Sequence, residues 1–275
     1  MTEPRWRKVF LLTAGMLDNP TYLLQLIKQH IDGLVAFDKQ LQEFLIWLEQ
    51  KSVSVQTPYK SAAIRAFYLT LVFPDGLSLA DDLALCIAIE SRLASNLAPD
   101  LNIDQALNCA LHLSLALYRD PTLDRVLALN FAFPDDRVVY NPELQREANL
   151  SPLRESLQQL KEKLPVPVQG TEQLKQWWNA NGQAWTETLR SVMLRYRNIG
   201  HQWQFSEQQK KVLKQYYTAN QLLVNCLNSS CEVTSPVREK ILETLFLPVT
   251  RASSSMWHHR PKRGKLYAKA EIHIT

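Results

Sequence analysis

The sequence predicts an all-α protein, a multi-helix bundle or array of short antiparallel helices, and three observations predict it. Glycine, the residue of tight turns and bulges, occurs seven times in 275 residues. Leu, Ala, Gln and Lys, all good helix formers, are plentiful. Apolar residues also recur at intervals of three and four through most of the chain. With 46% hydrophobic residues, the chain can bury a sizeable core in one large domain or two small ones.

The elements follow in order. Trp6, Phe10, Thr13 and Leu17 form one stripe of a first helix. Asn19 before Pro20 supplies a cap and a proline at the first position of a second, which carries Leu23, Ile27, Ile31 and Leu34. Leu41, Phe44, Leu45 and Leu48 make a third, and Ala62 to Leu71 a fourth after Pro58. Connections this short place antiparallel helices side by side. Residues 77–131 are Leu/Ala-rich with few β-branched residues, and they read as a central helical hairpin rather than strands. Pro134 to Pro142 is a loop, and Ser151-Pro152 opens a helix with Leu153, Leu157, Leu160 and Leu164 on one face.

LPVPVQGT (164–171), with two prolines and a glycine, is the candidate linker. It divides an N-terminal helical part (1–165), carrying the Leu/Ala-rich insert, from a C-terminal helical part (171–248). Leu174, Trp178, Trp185, Leu189, Val192 and Tyr196 share a face, with Asn181-Gly182 as a point where that helix kinks or breaks. Ser206 and Gln209 form a capping box opening a long helix to Leu227, and Pro236 to Leu247 is the last amphipathic helix. Residues 249–275 show little periodicity and read as a disordered or loosely attached tail.

The net charge of +4 is unevenly spread. From Val249 onward Arg251, Arg260, Lys262, Arg263, Lys265 and Lys269 oppose Glu271, whereas residues 1–248 hold 25 basic and 26 acidic side chains. A neutral body argues against a nucleic-acid partner, which needs clustered Lys and Arg. The apolar run near the N-terminus is too short and interrupted to span a bilayer or act as a signal peptide. Scattered Cys86, Cys109, Cys226 and Cys231 fit free thiols in a reducing cytoplasm. Cys226 and Cys231 have no second Cys/His pair nearby in sequence, so no four-ligand zinc set is expected.

The expected chemistry is largely negative. The glycines at 15, 33, 76, 170, 182, 200 and 264 include no G-x-G and no phosphate-loop spacing, so no nucleotide cofactor is expected in that manner. His30, Asp32 and His112 read as surface or satisfied core groups, and no hydrolase or metalloprotease signature occurs. LRYRNIGHQWQF (194–205) is the exception. HEPN-type ribonucleases use R-x(4–6)-H on a helical bundle, and Arg195 to His201 fits that spacing, whereas Arg197 to His201 does not. The alternative is a helix C-cap, with Gly200 left-handed after Ile199 and His201 bonding the last carbonyls. Trp177, Trp178, Trp185, Tyr216 and Tyr217 could stack bases, but their spacing reads better as core joining the two long C-terminal helices.

The strings RWRKVFLLTAGML, KSVSVQTPYKSAAIRAFYL, VREKILETLFLP and the long run from LKQWWNANGQAW to NSSCEV resemble the C-terminal helical region of cyanobacterial NACHT-type NTPases, the NACHT conflict-system C-terminal helical domain. The resemblance spans about residues 5–248 and fades after Leu247-Pro248. Full-length members are signalling ATPases, so the resemblance implies a non-enzymatic sensor or scaffold module for signal transduction or antiviral defence. Its partners would be proteins: the NACHT module, other copies or an inducing ligand. The ATPase motifs have no counterpart here, so no catalytic or cofactor-binding residue carries over. Two other readings stay open, a HEPN-like ribonuclease using Arg195 and His201 with Arg197, and a truncated remnant without independent function.

Overall fold

The computed structural model describes residues 4–72, 79–94, 97–119, 122, 124, 125, 128, 129, 150–164, 171–230 and 233–249. Among these are ten α-helices and no strand. They are α1 (Pro4–Met16), α2 (Thr21–Gly33), α3 (Lys39–Ser54), α4 (Ser61–Thr70), α5 (Leu79–Ile89), α6 (Pro99–Arg119), α7 (Ser151–Glu162), α8 (Thr171–Arg197), α9 (Glu207–Ser229) and α10 (Ser235–Glu243). The expected loop over Pro134 to Pro142, linker residues 165–170, Cys231 and the tail from Thr250 lie outside the described residues.

The all-α expectation holds, and α4 stands at its centre. Every residue from Ala62 to Thr70 is buried, the signature of a helix covered on all sides. It packs against α3, α5 and α10. Its one charged residue, Arg65, spans to the far end of the chain and donates to Leu245 O (2.8 Å) and Glu243 O (2.6 Å). Those carbonyls end α10, so the guanidinium caps a helix that would otherwise leave them unmet. Burial lowers the Arg65 pKa to about 10. Phe246 follows in a left-handed conformation (φ 59°), fully buried and edge-on to Tyr216 at 5.6 Å.

The two helices of the Leu/Ala-rich stretch find their main partners elsewhere in the protein. Helix α5 packs on α4 and α9, and α6 packs on α8. The two long C-terminal helices also take separate partners, which corrects the expectation that aromatic residues join them. Helix α8 lies on α6 and α7, where Trp185 Nε1 donates to Leu160 O at 2.9 Å. Helix α9 lies on α1, α2 and α5. The aromatic rings are core, but in two different places.

Local expectations fare unevenly for physical reasons. Asn19 Oδ1 accepts from Thr21 N at 3.1 Å, and both bonds of the Ser206–Gln209 capping box are present. On α1 the inward residues are Phe10, Leu11 and Ala14, while Thr13 and Leu17 face outward. The buried face meets the end of α9, where Ala14 O accepts from Ser230 Oγ (3.0 Å). On α2, Leu34 is exposed and Val35 is buried in its stead. Lys28 and Asp32 form an ion pair at 2.6 Å against the core, where burial pushes the ammonium pKa down and the carboxyl pKa up.

Helix α8 runs unbroken through Asn181 and Gly182, where a kink or break is expected from sequence. The glycine answers a packing need instead. A Cβ at Gly182 would sit 2.7 Å from Nε1 of Trp178, a ring that is 1% exposed and packed between Trp177 and Trp185. Gly182→Ala therefore reverses the usual gain of Ala over Gly in a helix. It lowers stability by about 1–3 kcal/mol, read from the urea midpoint, because the ring cannot yield without disturbing its neighbours.

At the end of α5, Arg92 donates to both oxygens of Glu90 (2.8 and 3.0 Å) and holds its pKa at about 2. The unfolded carboxyl titrates near 4.5, so this stabilisation is complete above that pH and is lost as pH falls toward 2. In Glu90→Gln, stability measured across that window falls less steeply than in the parent chain.

Candidate functional site

Lys51 stands on the apolar stripe of α3, in phase with Phe44 and Leu48, and it is 3% exposed. A charge on a buried stripe needs a partner. Helix α6 supplies Asp104, which is fully buried, and Asp100 one turn before it. Lys51 Nζ lies 3.0 Å from Asp104 Oδ2, and Arg197 Nε lies 2.5 Å from Asp104 Oδ1. Arg197 Nη2 reaches Asp100 Oδ1 at 2.8 Å, and the Tyr68 hydroxyl donates to Asp104 Oδ2 at 2.5 Å. Two cations and two carboxylates thus close a neutral cluster joining α3, α4, α6 and the end of α8. The Lys51 ammonium also lies 5.0 Å from the centre of the Tyr68 ring.

The electrostatics fit a cluster that holds rather than reacts. Burial lowers the Lys51 pKa, and Asp104 restores part of it. Burial also opposes the Arg197 charge, but Asp104 and then Asp100 outweigh it and drive the pKa up. Burial first, then the Asp104 carboxylate, push the Tyr68 hydroxyl well above its ordinary value.

The same lysine closes the end of α8. Lys51 Nζ donates to Arg197 O, and Trp47 Nε1 donates to Asn198 O at 3.1 Å. A cation at a helix C-terminus also suits the helix dipole. Asn198 turns left-handed (φ 51°), and its N–H donates to Leu194 O at 3.1 Å, the αL form of C-cap. Gly200 is left-handed as expected (φ 86°), but the last carbonyls are met by α3. His201 instead bonds the Asn198 side chain at 2.8 Å, which corrects the sequence reading of its role.

Residues 199–205 then cross α3 without helical structure. Gln40 Nε2 donates to Trp203 O. Trp203 meets Phe44 edge-on at 5.1 Å and stacks on Phe205 at 6.0 Å with planes 4° apart. Gln204 is left-handed (φ 43°), so two non-glycine residues bracket the segment in a conformation costing about 1–3 kcal/mol each. Gln209 Nε2 then binds both Asp38 oxygens (3.1 and 3.0 Å), while Asp38 Oδ1 also accepts from Leu41 N. One carboxylate therefore serves the N-termini of α3 and α9 together. Beside the segment lies a cleft of about 360 Å³, bordered by α3, α6, α8 and the start of α9.

The three residues singled out from sequence separate into different roles. Arg197 is committed to Asp100 and Asp104, Arg195 is exposed and lies 5.4 Å from the Tyr196 ring, and His201 packs between Trp47 and Trp203. Burial and then the Lys51 charge lower the His201 pKa, against the Asn198 bond that raises it. Sequence reasoning missed Lys51, Tyr68, Asp100 and Asp104. A lysine in phase with buried leucines, and two acids four apart in a Leu/Ala-rich stretch, were the available signals. No group of three or more His, Cys, Asp or Glu is placed to hold a metal ion among the described residues. Nor is any described helix long and apolar enough to cross a membrane.

Residues 153–248, about a third of the chain, match the family model described as NACHT C-terminal Helical domain 2. The match covers α8, α9, α10 and nearly all of α7, and it bears out the resemblance over those residues. A domain of this kind is not itself catalytic. No curated protein and no solved structure matches the chain.

Removing the carboxylate at the centre of the cluster strands Lys51 and leaves Arg197 with Asp100 alone. Asp104→Ala lowers stability by about 3–5 kcal/mol in urea unfolding. Lys51→Met combined with Asp104→Leu removes both charges of a pair and is milder than Asp104→Ala alone.

Proposed function

We propose, from the NACHT C-terminal helical domain 2 that residues 153–248 carry, that this chain is a non-enzymatic sensor or scaffold module that packs against a NACHT signalling ATPase. The observation that carries the proposal beyond the family match is the outer face of α1. Val9, Leu12 and Met16 recur there at helical spacing and are 48%, 64% and 82% exposed, while the opposite face packs on α9. Apolar side chains gathered on one outward stripe mark a surface that a partner covers. The fully met cluster around Asp104 supports a rigid platform behind that face. Signal transduction or defence is the role such a module serves, in the cytoplasm where the ATPase would act.

The separation of roles, with Arg195 exposed beside the Tyr196 ring and His201 packed against Trp47 and Trp203 and bonded to Asn198, favours this reading over a ribonuclease built on Arg195 and His201. RNA cleavage that persists in EDTA and disappears in His201→Ala would reverse that preference.

Co-purification with a NACHT ATPase module tests the partner. The parent chain associates with it, and the Leu12→Asp, Met16→Asp double variant loses association at an unchanged melting temperature. Equal association of parent and variant, or none by either, overturns the proposal.

A further inference from the structure

The cleft beside residues 199–205 gathers several cationic side chains against an aromatic segment. Arg190, Lys210, His112 and His201 line it, and among the described residues no carboxylate does. Arg190 is 7% exposed. Its Nη1 donates to Glu187 at 2.8 Å, yet its Nε is buried without a hydrogen-bond partner. A guanidinium carries five donors in a planar fork suited to phosphate or carboxylate oxygens, and an unmet buried donor is costly. Lys210 pairs with exposed Glu207 at 2.7 Å, a contact that water screens and a bound anion can replace.

The other wall is aromatic and amide. Trp203 is half-buried and held by Phe44, Trp47 and Phe205, so its indole is a fixed surface rather than a mobile one. Gln202 and Gln204 also line the cleft, and an amide offers both a donor and an acceptor to a heterocycle edge. The left-handed conformation of Gln204, unusual for a residue with a side chain, shapes this wall. A volume of about 360 Å³ lies at the lower end of small-molecule sites.

We infer that this cleft binds a mononucleotide, its base against Trp203 and the amides of Gln202 and Gln204, and its phosphate toward Arg190 and Lys210. The site belongs to this chain alone and does not depend on the NACHT partner. It differs from a phosphate-loop site in using side-chain cations and a stacking ring rather than glycine N–H groups.

Isothermal titration of the full chain with adenosine and uridine monophosphates, the parent nucleosides and inorganic phosphate tests it. A mononucleotide binds saturably, and nucleoside and phosphate each bind about tenfold more weakly or worse. Lys210→Gln, at a half-exposed position, and Arg190→Gln each weaken the nucleotide about tenfold and flatten its salt dependence. Trp203→Leu weakens nucleoside and nucleotide alike, and melting curves show which variants remain folded. No saturable heat at about 1 mM of either nucleotide overturns the inference. So does a nucleoside binding as tightly as its nucleotide, phosphate alone binding as tightly, or unchanged affinity in folded Lys210→Gln.

Discussion

The carboxylate of Asp104 is the point on which the arrangement of α3, α4, α6 and α8 turns. It is fully buried, and a buried charge is tolerable only with partners in good geometry. Lys51, Arg197 and Tyr68 supply them from three other helices. Apolar packing alone would allow these helices to slide or rotate by small amounts at little cost. An ion cluster closed on four elements allows far fewer arrangements, because any slip leaves a charge without its partner. Fixing the end of α8 in turn fixes residues 199–205, the aromatic wall of the cleft and the start of α9.

How much of this was legible in the sequence depends on the kind of interaction. Helix existence followed from local periodicity, and caps such as Asn19 and the Ser206–Gln209 box followed from residues within a few positions of each other. Which helices pack together did not. The distribution of leucines on α6 and α9 says that each buries a face but not against what. Helix α1 shows the limit clearly: Leu17 fits the apolar stripe by spacing, yet it is exposed, while Ala14 is buried against the end of α9.

The candidate site was partly legible. In the string around Arg197 and His201, charged, amide and aromatic residues crowd a helix end. Its nearest partners lie far off in sequence: Lys51, 146 residues away, and Asp104, 93 away. Spacing rules that operate over a few residues cannot find such pairs. Gly182 illustrates the converse error. Read locally it weakens a helix, whereas in the folded protein it makes room for the Trp178 indole one turn earlier.

The bonds from Arg65 to the end of α10 and the residues just after it span 178 and 180 residues, and that from Ser230 to Ala14 spans 216. Such long closures make for slow folding, because loop entropy is lost before the contacts form. They also order events during synthesis. Lys51 leaves the ribosome well before Asp104, and Arg65 long before the Glu243 and Leu245 carbonyls, so the first four helices carry buried-type cations whose partners are still to come. Until the last quarter of the chain arrives, those helices remain unfinished surfaces, exposed to chaperones or to aggregation. A nonsense mutation late in the gene would therefore damage the earliest helices as much as the missing ones.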